Sequence, residues 1–310
     1  SIRKERMRFR LILIGIVFSL AVYSQDSASY HSLRTDTSVV HKGRLIGVLS
    51  VQGALYIGSL SGLYFLWYSN YPQSSFHLFN DDNEWLQMDK CGHATTSYYI
   101  SMIGNWSYRW AGLSRKQSAW FGGLLAEAYM LNIEILDGFS AEWGFSVGDF
   151  TANTLGAAIF VSQQLIWDEQ RFRLKFSYHQ TTYPVYNPGQ LGRNLIQQML
   201  KDYNGQSYWL SGNISTFLPK TSKFPKWLNI AIGYGAGGMT GASANVINPN
   251  VPPQQRYRRF LLSVDVDLTR IPTRSKFLKG VFTVLSFIKI PAPAIEYNSL
   301  GNFRFYPIYY

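Results

Sequence analysis

Hydrophobic and polar positions change their period once along this chain. Up to residue 167 the apolar residues recur at helical spacing, and from residue 172 they alternate with polar ones. Residues 46–69 carry no charge over 24 positions, a length that can cross a bilayer. Gln52 and interspersed glycines and serines dilute the apolar run, so it reads as a buried or membrane-surface helix rather than a span. A turn-rich stretch, residues 70–83, leads into three further helices: Glu84 or Asp89 to Trp110, Arg115 to about Leu136, and Phe145 or Asp149 to Trp167. Gly104, Gly112 and Gly138 with Ser140 mark weak points or breaks. Gly122, Gly123, Ala126, Ala152, Gly156 and Ala157 permit close helix approach. The pattern predicts a bundle of about four helices over residues 45–169.

The second half, residues 170–310, reads as an antiparallel β region, which makes the fold class α+β. Phe172, Leu174, Phe176 and Tyr178 alternate with Arg171, Arg173, Lys175 and Ser177, the pattern of a half-buried strand. Leu228 to Tyr234 and Phe260 to Leu268 repeat it, and residues 209–217 and 303–310 are further candidates. Residues 187–201 read as a short helix, residues 248–253 as a loop, and residues 276–288 as a basic amphipathic helix closed by Pro291 and Pro293. Apolar-out, polar-in strands are the habit of outer-membrane barrels. The strands found here are fewer than the eight such a barrel needs, so a small sheet packed on the bundle is expected.

Export is expected from the N-terminus. Arg8 and Arg10 precede an apolar run at residues 11–22, and Val22-Tyr23-Ser24 offers a cleavage position before Gln25. Residues 1–24 therefore read as a signal peptide, and the polar stretch 25–44 as a flexible mature N-terminus. The single cysteine, Cys91, cannot form an intramolecular disulfide and reads as a small buried hydrophobe. A net charge of +11 hides a division: residues 25–169 carry 7 basic and 13 acidic side chains, residues 170–310 carry 17 and 4. The basic half suits acidic headgroups or an acidic protein, so envelope lipid or an outer-membrane protein complex is the expected partner, and nucleic acid is not.

The candidate chemistry lies in the first half. Asp89 and His93 share a helix face, with Lys90 beside them; Asp149 and Asn153 share one on a later helix; Glu134 and Asp137 end the helix between. If the helices pack face to face, these residues form one polar cluster. His93, Asp149 and Glu134 are the candidates for acid–base work, but no nucleophile motif accompanies them. One histidine is thin for zinc, so no metal and no cofactor are expected. A hydrogen-bonded network that sets helix register is the favoured reading of the cluster. The run Gly233-x-Gly235-x-Gly237-Gly238 follows a strand but opens no βαβ unit, and so reads as bends rather than a phosphate loop.

The residues from Asp81-Asp82-Asn83-Glu84-Trp85 through Asp89-Lys90 and His93, then Asp137-Gly138-Phe139-Ser140, Trp143-Gly144-Phe145-Ser146 and Gly148-Asp149, resemble the YfiM-like family over roughly residues 45–170. That resemblance implies an uncharacterised periplasmic or envelope protein, in the longer form found in Bacteroidetes-type bacteria. The order Asp89, Lys90, His93, Glu134, Asp149, Asn153, Gly156 is also distantly similar to that of VanZ-like membrane proteins, which are helical and membrane-embedded. The Gln and Arg usual there between Glu and Asp are replaced here by Asp137 and Trp143. The expected role is a non-enzymatic accessory or structural component at the outer membrane or in the periplasm of a Gram-negative bacterium. The competing role is an enzyme or binder for lipid or cell-wall precursors, acting through Asp89, His93, Glu134 and Asp149.

Overall fold

Four long helices come first in the computed structural model, which describes residues 38–66, 68–247 and 251–310. The predicted signal peptide, the N-terminal stretch up to residue 37 and part of the predicted loop 248–253 lie outside the described residues. The helices are α1 (Lys42–Leu66), α2 (Met88–Trp110), α3 (Arg115–Gly138) and α4 (Val147–Trp167). Helix α1 begins inside the stretch read as a flexible N-terminus. Side-chain caps set the starts of α3 and α4. Ser114 and Gln117 close a reciprocal capping box on α3, and the Ser146 hydroxyl accepts the Asp149 amide of α4.

Close backbone contact holds α2 against both neighbours. A Cβ built on Gly156 of α4 would stand 2.0 Å from the Ala94 carbonyl oxygen, and one on Gly122 of α3 would stand 2.4 Å from that of Ser101. Both obstacles are main chain and cannot rotate away. Gly156→Ala is therefore expected to force α2 and α4 apart and cost about 1–3 kcal/mol, as overpacking does. A lowered urea midpoint in detergent checks this, and an unchanged one would mean the helices can part freely.

The β region is a six-stranded antiparallel meander: β1 (Phe172–Tyr178), β2 (Gln206–Asn213), β3 (Leu228–Gly237), β4 (Tyr257–Val266), β5 (Ala292–Asn298) and β6 (Phe303–Tyr309), in that order across the sheet. Three short helices, α5 (Pro188–Leu191), α6 (Leu195–Lys201) and α7 (Lys276–Leu285), lie in its connections. The α+β class expected from the sequence is the one found. Strand β5 was not foreseen: Pro291 and Pro293 read as helix stops, yet proline is tolerated where a strand begins.

The outer edge of β1 is well covered. Gln163 of α4 takes the amides of Arg171 and Phe172 and donates to the Phe172 carbonyl. Tyr99 of α2 donates to the Leu174 carbonyl at 2.5 Å, and Phe176 pairs with the chain on either side of Ile288. These contacts satisfy edge groups that would otherwise recruit another chain.

Polarity is inverted relative to a water-soluble sheet. The strand positions that point inward include Arg173, Lys175, Ser177, Ser207, Ser211, Asn229, Ser263, Asp265 and Glu296, all buried. Those that point outward include Ile230, Ile232, Phe260, Leu262, Val264 and Ile295, all exposed. The strands alternate as expected, and the register that faces inward is mainly the polar one. The curled sheet brings its polar face together. Lys175 of β1 meets Asp265 of β4 at 2.6 Å with both side chains fully buried, and Ser207 of β2 meets the Tyr309 hydroxyl of β6 at 2.7 Å. A polar face closed in this way leaves the apolar face nowhere to go but outward.

The helices follow the same rule. Ser97, Ser101, Asn105, Ser118, Glu134, Asn153 and Gln163 are buried between them, while Ile103, Trp120, Leu124, Leu155 and Ile166 are exposed. Helix α1 is not the buried helix the sequence reading allowed: only 6% of its most apolar window is buried. Ile46, Ile57 and Phe65 are among its exposed apolar side chains.

Candidate functional site

Three helix ends and one loop meet at the polar cluster. Asp89, Lys90 and His93 stand in the first turns of α2, Glu134 and Asp137 in the last turn of α3, and Asp149 and Asn153 in the first turns of α4. Antiparallel packing of α3 against α2 and α4 brings a C-terminus to two N-termini, so residues far apart in sequence converge. Asp81 and Asp82 join them from the preceding loop.

Lys90 is the hub of one half. Its ammonium lies 2.7 Å from Asp81 Oδ1, 3.3 Å from Asp149 Oδ1 and 3.5 Å from Asp82 Oδ1. The Ser146 hydroxyl that caps α4 also donates to Asp81, at 2.6 Å. Burial pushes the Asp81 carboxyl up, but hydrogen bonds with Asp149, Lys90 and Ser146 and the Lys90 charge outweigh it and hold Asp81 below its ordinary value.

His93 is the hub of the other half. Its Nδ1 lies 3.2 Å from Glu134 Oε1 and 3.1 Å from Asn153 Oδ1, two acceptors, so Nδ1 carries the proton. Asn153 donates in turn to Glu134 at 3.3 Å. That arrangement turns Nε2 toward Asp89, whose Oδ2 is 3.8 Å away, too far for a hydrogen bond. The other oxygen of Asp89 accepts a 2.5 Å hydrogen bond from the Tyr203 hydroxyl. Burial, and then the Asp89 carboxylate, push the Tyr203 phenol well above its ordinary value, so it remains a donor.

The structure thus joins Asp89, Lys90, His93, Glu134, Asp149 and Asn153 in one network. Asp137 stands slightly apart, accepting the Tyr68 hydroxyl at 2.7 Å. Cys91 is partly buried beside the network. Exposure is graded across the site: the Glu134 side chain is 1% exposed, His93 16% and Asp89 30%. The floor is sealed by α3 and the mouth opens toward Asp89 and Asp82. Sequence reasoning missed Asp81, Ser146, Tyr68 and Tyr203 as members. Asp81 and Asp82 were legible as an acidic pair eight residues upstream of the helix motif. Tyr203, 114 residues from Asp89, left no local signal.

Residues 77–164 match the family model described as "Predicted periplasmic lipoprotein (DUF2279)". The matched span contains every charged member of the network together with Asn153 and Ser146, and leaves out Tyr68, Tyr203 and the whole sheet. The description fits an uncharacterised family of the periplasm or envelope, in agreement with the export read from the sequence. No curated protein and no solved structure matches the chain.

Proposed function

We propose that this protein is a non-enzymatic accessory component seated in the lipid of the outer membrane, with its helices and its sheet presenting their apolar outer surfaces to the bilayer. One observation carries the reading: beside small buried apolar clusters around Trp209 and Phe160, both layers of the fold bury many polar and charged side chains and expose a large set of aliphatic and aromatic ones. In water that arrangement is unfavourable at about 25 cal/mol per Å² of exposed apolar surface. In lipid it is the expected one, because most of the polar side chains are gathered inside and the apolar surface meets no water.

Details of the elements agree. Helix α1 has 25 residues, about 37 Å at 1.5 Å per residue, enough for a hydrocarbon core of about 30 Å. Helix α4 carries no charged side chain besides the buried Asp149. An apolar-out, polar-in sheet is the form strands take in outer membranes, which favours that membrane over the inner one. Within this seat the His93–Glu134–Asn153 network fixes the register of α2, α3 and α4.

Cell fractionation tests the seat. The chain is expected with the outer-membrane fraction after density separation, to resist an alkaline carbonate wash, and to be released by detergent. Recovery in the osmotic-shock fluid would overturn the proposal. A second reading, a binder or enzyme for lipid or cell-wall precursors, is supported by the graded mouth at Asp89 and by the ring nitrogen of His93 that faces it.

A further inference from the structure

We propose that Asp89, His93 and Asp149 form a binding site for one divalent transition-metal cation of the Zn²⁺ class. A ring nitrogen of His93 and one carboxylate oxygen from each aspartate lie within 4.8 Å of one another. Ligand atoms around an ion bound at about 2.0–2.2 Å stand roughly 3–4 Å apart, so a small closure completes the set.

The supporting contacts are those that metal ligands need. Histidine ligands characteristically donate their second ring N–H to a carboxylate or carbonyl, which fixes the tautomer and aims the free lone pair. His93 does this with Nδ1 toward Glu134 and Asn153, leaving Nε2 facing Asp89 Oδ2 across 3.8 Å. Asp89 is held in turn through its other oxygen by Tyr203, and Asp149 by Lys90 through Oδ1. Each of the three candidate ligands therefore has a partner that orients it. A network built only to hold helix register has no need of the 3.8 Å gap, which one further hydrogen bond would close.

Charge points the same way. Asp81, Asp82, Asp89, Glu134, Asp137 and Asp149 are gathered around one ammonium, that of Lys90, and the His93 ring. Carboxylates gathered in excess of their cationic partners, with Glu134 and Asp149 buried among them, are stabilised by a metal ion more than by any neutral donor. Lys90 is shared between Asp81 and Asp149, so the excess remains on the Asp89 side. Imidazole with carboxylates suits Zn²⁺ and its neighbours rather than Ca²⁺ or Mg²⁺, which prefer oxygen alone. The exposure of Asp89 and Asp82 gives a solvent-accessible approach on that side. The inference is independent of the membrane seat, because the ligands come from the packing of α2 on α4.

The test uses the full chain without a histidine tag, in detergent and stripped with EDTA. Titration with Zn²⁺ alone is expected to bind one equivalent saturably and to raise the melting temperature, with Ca²⁺ doing neither. His93→Gln and Asp89→Asn should abolish both effects, and Tyr203→Phe should weaken affinity about 10–100-fold, as loss of an outer contact does. If His93→Gln does not fold, Asp89→Asn decides, since Asp89 lies at the exposed mouth. Co²⁺ in place of Zn²⁺ is expected to give visible absorption bands that the Asp89→Asn variant lacks. No saturable Zn²⁺ binding by the wild type, or unchanged binding in folded Asp89→Asn, would overturn the site.

Discussion

Leu262→Arg is expected to cost about 2–4 kcal/mol of stability in lipid, the range for a cation on the lipid face of a membrane strand near midplane. Leu262 sits in the middle of β4, is 51% exposed, and is flanked outward by Phe260 and Val264. On a water-facing surface the same change would be nearly neutral, within about 0.5 kcal/mol. The sign of the usual expectation is thus reversed: a charge placed on an exposed position should harm this protein. Urea unfolding in lipid vesicles measures it, with exposed Arg274→Ala as the indifferent control. A Leu262→Arg variant as stable as the wild type would mean that this face does not meet lipid.

Asp265→Ala should do comparable damage from the inside, about 3–5 kcal/mol, because it leaves a buried cation without its counter-charge. Asp265 accepts from Ser211 at 2.6 Å, pairs with Lys175 at 2.6 Å, and has Lys289 at 4.0 Å. The Val266 carbonyl would remain to Lys175, and a carbonyl does not balance a charge. Lys175→Met together with Asp265→Leu should recover most of the loss, since a buried pair replaced by apolar groups of similar volume is often near neutral. The coupling between the two sites, read from the double-mutant cycle, is the quantity to measure. Additive losses would mean that the interior is wet enough to solvate each charge alone.

These two predictions rest on features of different legibility. Helix positions were readable because cap residues and breaks punctuate them: Ser114 opens α3, and Gly112 falls in the turn that precedes it. The members of the cluster contributed by α2 and α4 were readable because i, i+4 spacing fixes a shared face wherever the helix goes. Alternation in β1, β3 and β4 was equally plain. Strand β5 was hidden by its prolines, and β2 runs from Gln206 to Asn213, opening earlier than the stretch read for it. The short helix read at residues 187–201 is divided at Gly192, whose φ of +100° ends α5.

What the chain determined by itself was local: the change of period near residue 170, the helix faces, and the polar residues each face would present. Which side of each face is inside was decided only in three dimensions. A period of two assigns residues to two faces and says nothing about which one meets solvent, because the alternation reads the same from either side. The curl of the sheet settles it by bringing Lys175 to Asp265 and Ser207 to Tyr309. The same holds at the cluster: α2 supplies Asp89 and His93 in any fold, but the Tyr203 hydroxyl and the Glu134 carboxylate reach them only through packing, since contacts across 114 and 41 residues leave no trace in local spacing.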